Sequence, residues 1–301
     1  MALPTARPVR PPRHWLRVLW TGLVLWTATV LVTVITANAN LLPTIVLLGS
    51  FLVPVTFVVW AYEHGRAGEV TVPLLFNAFV VGGVLGVLGA SLLERYFLAP
   101  SMWMYFGVGL IEELVKLLAL AFVARRLQVR TLRDGLVLGA AVGFGFAALE
   151  SAGYAFNAMF TVHGISVRSL LETEILRGLL TPLGHGLWTA ITGGALFAAS
   201  RARWRVTGGV VLTYLSVSVL HGLWDSMHTI AIAATLYLTG TAWQYRLLEL
   251  GYLPRATDAQ DHLITLLNWA GLLVISTIAL LWMRSMAERS RYGPRQPYTG
   301  P

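Results

Sequence analysis

The chain has 301 residues, 56% of them hydrophobic and 12% charged, with a mean hydropathy of +0.68 and a formal charge of +8. Soluble domains carry about 25% charged residues, so this composition excludes an ordinary water-soluble fold and indicates an all-α, polytopic membrane protein. The absence of cysteine excludes disulfides, thiolate metal sites and a cysteine nucleophile.

Residues 1–14 read as a basic cytosolic tail. Runs of about 20 apolar residues, the length that crosses a ~30 Å hydrocarbon core, then predict a bundle of about eight transmembrane helices. They are Trp15–Thr36, Leu41–Tyr62, Val72–Leu93, Trp103–Val123, Leu136–Phe156, Ile175–Ala199, Gly208–Ile230 and Leu263–Trp282. The bundle thus occupies residues 15–283, and residues 284–301 form a cytosolic C-terminal tail. The first run, followed by Ala37-Asn38-Ala39, also resembles a signal peptide. It exceeds the usual ~7–15-residue apolar region and is read as a retained span. Leu236–Asp261 is too polar to cross and is expected to form an interfacial helix or a lid.

Arginine placement sets the orientation. With the N-terminus inside, sixteen arginines fall in inner segments and five in outer ones, which predicts N-in and C-in. The same placement makes the +8 charge a topology signal rather than a nucleic-acid surface. In the fifth run Gly135, Gly139, Gly143, Ala147 and Ser151 recur every four residues, a small-residue ridge that lets another helix approach closely. Gly82, Gly86 and Ala90 repeat the pattern in the third.

Lys116 is the only lysine, and with Glu112 and Glu113 it lies inside an apolar run. Each such charge costs roughly 2.5–3.5 kcal/mol on insertion scales, which makes it a functional-site candidate. Helical spacing lets Lys116 reach either glutamate, at i+4 and i+3. His221 and Asp225 are also i and i+4, so the carboxylate can orient the imidazole; His228, at i+7, is expected on the same face, and Glu174 in water at the outer boundary. Glu112, Glu150, His185, His221 and Asp225 all fall in the outer half of their spans at 1.5 Å per residue. That shared layer predicts one site built from four helices.

The sequence around these positions resembles the PrsW family of intramembrane proteases, within the clan that also holds the CAAX prenyl proteases. The matching motifs are Glu112-Glu113-x-x-Lys116, Phe146-x-x-x-Glu150, His185-Gly186-x-Trp188 and His221-x-x-x-Asp225, with Trp224 repeating the His-Gly-Leu-Trp of residues 185–188. They cover a catalytic core of about 103–230. The resemblance implies a bacterial plasma-membrane protease that cuts a single-span membrane protein, with an anti-sigma factor cleaved on its extracytoplasmic side as the family's regulatory model.

Peptide hydrolysis needs an activated water, oxyanion stabilisation and a proton for the leaving amine. Glu112 or Glu113 is expected to supply the base, with His185 and His221 as oxyanion donors and Glu150 and Asp225 completing the polar network. A zinc site on His185, His221 and Glu150 is the metal alternative. The glutamate-activated water is preferred, because no His-Glu-x-x-His helix is present and Lys116 adds positive charge. Two other classes use similar residues, a proton- or cation-coupled transporter and a non-catalytic membrane scaffold.

Overall fold

A computed structural model describes residues 13–65 and 70–292. The N-terminal tail up to residue 12 and the end of the C-terminal tail from residue 293 lie outside the described residues, as does Arg66 of the inner tally. The regular structure of the described residues is helical apart from one hairpin of two-residue strands, Phe160–Thr161 (β1) with Gly164–Ile165 (β2).

Five of the expected spans are helices long and apolar enough to cross a membrane. They are α1 (His14–Thr36), α2 (Leu42–Gly65), the segment made of α3 (Val72–Asn77), a π turn (Ala78–Gly82) and α4 (Gly83–Phe97), then α6 (Leu132–Ala158) and α11 (Asp258–Tyr292). The fourth and seventh expected spans appear as α5 (Met104–Val123), which carries Glu112, Glu113 and Lys116, and α9 (Gly208–Thr239), which carries His221 and Asp225. Exposed Trp20, Val24, Leu31 and Ile35 on α1 and Leu266, Leu273 and Leu281 on α11 leave apolar faces suited to hydrocarbon.

The sixth expected span is not one helix. Val167–Leu180 (α7) is followed by a 3-10 turn at Thr181–Leu183, and a second helix, α8 (His185–Ser200), begins after Gly184. Pro182 explains the break, since it has no N–H to donate and its ring opposes a continuing helix. At 16 residues α8 is about 24 Å long, shorter than a ~30 Å core. His185 therefore opens a helix instead of sitting in the middle of one.

Other boundaries move outward. Helix α9 continues past Ile230 to Thr239, and α11 takes in residues up to Tyr292 that were expected in the C-terminal tail. The polar stretch between them forms α10 (Ala242–Glu249), started by a capping box of Thr241 and Gln244 that satisfies two orphan donors. Gln244 and Gln260 exchange side-chain hydrogen bonds of 2.8 and 3.1 Å, which ties α10 to α11.

Helix α6 is the buried axis. Its start is fixed by Thr131, whose hydroxyl accepts from the Asp134 amide while its own amide donates to the Asp134 carboxylate. Along the predicted ridge, a Cβ on Gly135, Gly139 or Gly143 would run into the carbonyls of Gly193, Thr189 and His185 on α8. Small residues thus bring two backbones into direct contact, the packing mode of membrane helices that lack a hydrophobic drive to associate. Gly86 of α4 likewise faces Phe146 and Lys116.

Segment ends that the arginine tally assigns to one side do meet. The His14 amide donates to Glu63, Arg133 to the His64 carbonyl and Arg130 to the Arg201 carbonyl. Deeper in the bundle, Trp26, near the middle of α1, donates to Glu174 of α7 at 2.9 Å. Glu174, expected in water, is buried against Gly49, because α1 and α2 pack over α7 and exclude solvent from that face.

Candidate active site

Helix α5 carries the paired glutamates on two different faces. A Cβ on its Gly109 would lie 2.5 Å from the Ser218 carbonyl and 3.3 Å from the Cβ of His221, so the missing side chain lets α9 close in. That approach brings His221 against Glu113, with Nδ1 3.0 Å from Oε1. Lys116 donates to the same oxygen at 2.7 Å and lies 3.2 Å from Glu112 Oε2. Glu113 and Lys116 are fully buried. A charge so enclosed persists only when partners replace its hydration, and Lys116 has two more, His185 Nδ1 at 2.9 Å and the Phe146 ring at 4.3 Å.

Each histidine is engaged at both ring nitrogens. Lys116 donates to His185 Nδ1, which leaves Nε2–H to donate to Glu150 Oε2 at 3.0 Å. His221 has Glu113 at Nδ1 and Asp225 Oδ2 3.3 Å from Nε2, an arrangement that a doubly protonated ring satisfies. This alters the expected division of labour, because both rings are held by chain partners and neither has a free N–H for an oxyanion. The two imidazoles meet edge to face at 5.0 Å, Trp188 packs against both, with ring centroids 4.5 Å from His221 and 5.4 Å from His185, and Trp224 lies 5.6 Å from Trp188. Phe146 covers His185 from α6 at 5.2 Å.

A cavity of ≈500 Å³ opens beside this cluster, lined by Glu94, Tyr105, Glu112, Glu150, Arg177 and Asp225 among others. His185 and Trp188 reach its wall; Glu113, Lys116 and His221 lie behind it. The structure thereby separates the two adjacent glutamates, one facing the cavity and one facing the interior. All six of Glu112, Glu113, Glu150, His185, His221 and Asp225 come together, with Lys116, Phe146, Trp188 and Trp224 around them. His228 does not join and is exposed. Gly222 already packs on Phe106, so by residue 228 α9 has passed the start of α5.

Three cavity residues have no counterpart in the sequence reading. Glu94 lies one residue beyond the expected end of its span, and Tyr105 carries no charge to single it out. Arg177, counted as an outer topology arginine, instead turns inward from α7. It pairs with Glu150, donates to Ser151 Oγ at 2.8 Å and stacks over the Tyr154 ring at 4.2 Å.

The donor set also suits a cation. One oxygen of Glu112 and one nitrogen each of His185 and His221 lie within 4.8 Å of one another. The carboxylates of Glu150 and Glu113 hold the far nitrogen of each histidine, the second shell that metal-bound histidines require. Two imidazoles and a carboxylate are a zinc-type set. Glu112 replaces Glu150 as the third donor expected from sequence, because Glu150 sits on the wrong side of His185.

The family model described as "PrsW family intramembrane metalloprotease" matches residues 10–248. The chain is 25% identical over 172 residues to a protein named "Protease PrsW" from Halalkalibacterium halodurans, covering 55% of this chain and 75% of that one. It is 27% identical over 169 residues to a protein of the same name from Geobacillus kaustophilus, covering 54% and 68%. No solved structure matches the chain.

Proposed function

The chain belongs to the PrsW family of intramembrane proteases, and from that premise we propose that it hydrolyses a peptide bond in a single-span membrane protein through a water activated by Glu112. Membership makes the chain a membrane peptidase and supports the hydrolytic reading over a transporter or a scaffold. The observation that carries the mechanism is the split of the paired glutamates. Glu112 lines the cavity, while Glu113 is spent on Lys116 and His221.

In this reading Glu112 takes a proton from water as the resulting hydroxide attacks the scissile carbonyl, and it returns that proton to the leaving amine. The tetrahedral oxyanion is met by Arg177, whose guanidinium has five donors and spends two on Glu150 and Ser151. Glu150 holds the tautomer of His185, and the buried Lys116–His221 group sets a positive field behind Glu112, a preorganised charge of the kind that stabilises developing anions. The cavity lies toward the arginine-poor end. With N-in, C-in topology, cleavage falls in the extracytoplasmic half of the bilayer, where an anti-sigma factor is a fitting substrate.

A second reading is favoured by the clustered ligand atoms of Glu112, His185 and His221. A zinc ion held there would lower the pKa of a bound water and polarise the scissile carbonyl. Against this, Lys116 already donates to the His185 nitrogen that faces Glu112.

Purified protein should cleave single-span reporters in detergent, keep that activity after metal chelation, and carry well under one equivalent of metal by elemental analysis. Activity lost to a chelator and restored by zinc would reassign Glu112 from base to ligand. A well-folded protein that cuts none of a broad reporter set would sink the hydrolytic reading.

A further inference from the structure

On the other side of α6 and α8 a separate cavity of ≈460 Å³ runs along the bundle. Its walls are apolar, with Phe57 of α2, Ala140 and Phe144 of α6, Leu187 of α8 and Leu280 of α11. One end differs. Arg133 and Arg284 line it beside His64, whose ring stacks on Trp60 at 5.0 Å. This is the arginine-rich end of the molecule, and from Arg133 to Phe144 along α6 the groove covers about 16 Å at 1.5 Å per residue, roughly one leaflet of a ~30 Å core.

We propose that this groove holds one anionic phospholipid from the leaflet at the arginine-rich end, its phosphate between Arg133 and Arg284 and an acyl chain along α6 and α8. Charge complementarity selects the headgroup. Arg133 is half-buried and spends one donor on the His64 carbonyl at 3.1 Å, and Arg284 is exposed, so the pair has donors to offer phosphate oxygens. Among the described residues no carboxylate lines the groove. Basic pockets between transmembrane helices at a cytoplasmic face are established binders of anionic headgroups, and Trp60 stands where aromatic side chains settle at the interface. The far end of the groove is formed by Pro182 and Gly186, which flank the break before His185. The bound chain therefore packs on the back of the segment that carries a site histidine.

The test uses the purified full-length protein in micelles seeded with equal amounts of phosphatidylglycerol and phosphatidylcholine of identical acyl chains, read by native mass spectrometry. One retained phosphatidylglycerol is expected. Arg284→Ala should lower the preference for it roughly fivefold, the effect of one arginine at an anionic surface. Ala61→Phe, which fills the groove and leaves both arginines in place, should lose the bound lipid while melting like wild type. Equal retention of the two lipids would overturn the proposal, as would an unchanged preference in Arg284→Ala or full retention in Ala61→Phe. Competition by glycerol 3-phosphate as effective as that by phosphatidylglycerol would reduce the feature to a phosphate site and would equally count against it.

Discussion

Replacing Glu112 by glutamine is expected to slow reporter cleavage by about 10²–10⁴-fold, the usual worth of a general base, with little change in thermal stability. The amide keeps the shape of the side chain and its place on the cavity wall. Lys116 keeps its closest partners, Glu113 at 2.7 Å and His185 at 2.9 Å, and loses only the charge of Glu112 at 3.2 Å. What disappears is the ability to take and return a proton. The measurement is kcat on a single-span reporter in detergent, with a melting curve on the same preparation. A Glu112→Gln enzyme that cuts within a few-fold of wild type would remove Glu112 from the mechanism.

Glu113→Ala should behave in the opposite way, costing about 3–5 kcal/mol of stability, as expected when a buried ion pair loses one member. Glu113 Oε1 is shared by Lys116 at 2.7 Å and His221 at 3.0 Å, and all three residues are enclosed. Removing it leaves an ammonium and an imidazole without their common anion at a buried position. Unfolding by heat or by graded sodium dodecyl sulfate reports the loss, and Glu113→Gln should recover part of it by accepting one hydrogen bond. An alanine variant that melts with wild type yet cuts nothing would move Glu113 into the catalytic group.

The contrast between these adjacent residues was not legible in the sequence. Successive residues on a helix point about 100° apart, so one of the two must turn away from any site the other faces. Which one turns away depends on the side from which α9 arrives, and that follows from Gly109 meeting Ser218. The existence of the cluster was legible, because charge inside an apolar run is costly and few residues bear it. Long, unbroken spans such as α1, α2 and α6 were legible for the same reason in reverse.

Failures share a cause, the weight given to a continuous hydropathy signal over local breaks. Ile175–Ala199 reads as one apolar run, yet Pro182 and Gly184 stand within it, and the helix stops there. Glu174 stands just before that run and Arg177 near its start, where a charge ordinarily reaches water. Each is drawn inward by a partner far away in the chain, Glu150 for one and Trp26 for the other. No local pattern announces such pairings.

Because Lys116 is the sole lysine of this sequence and has no exposed surface, the folded chain offers acylating reagents no side-chain amine. Lysine-directed cross-linkers will not capture its neighbours, and lysine-specific proteases find one bond, sealed inside the bundle. Modification at that single position counts opened molecules only, a built-in tally of unfolding that needs no added label.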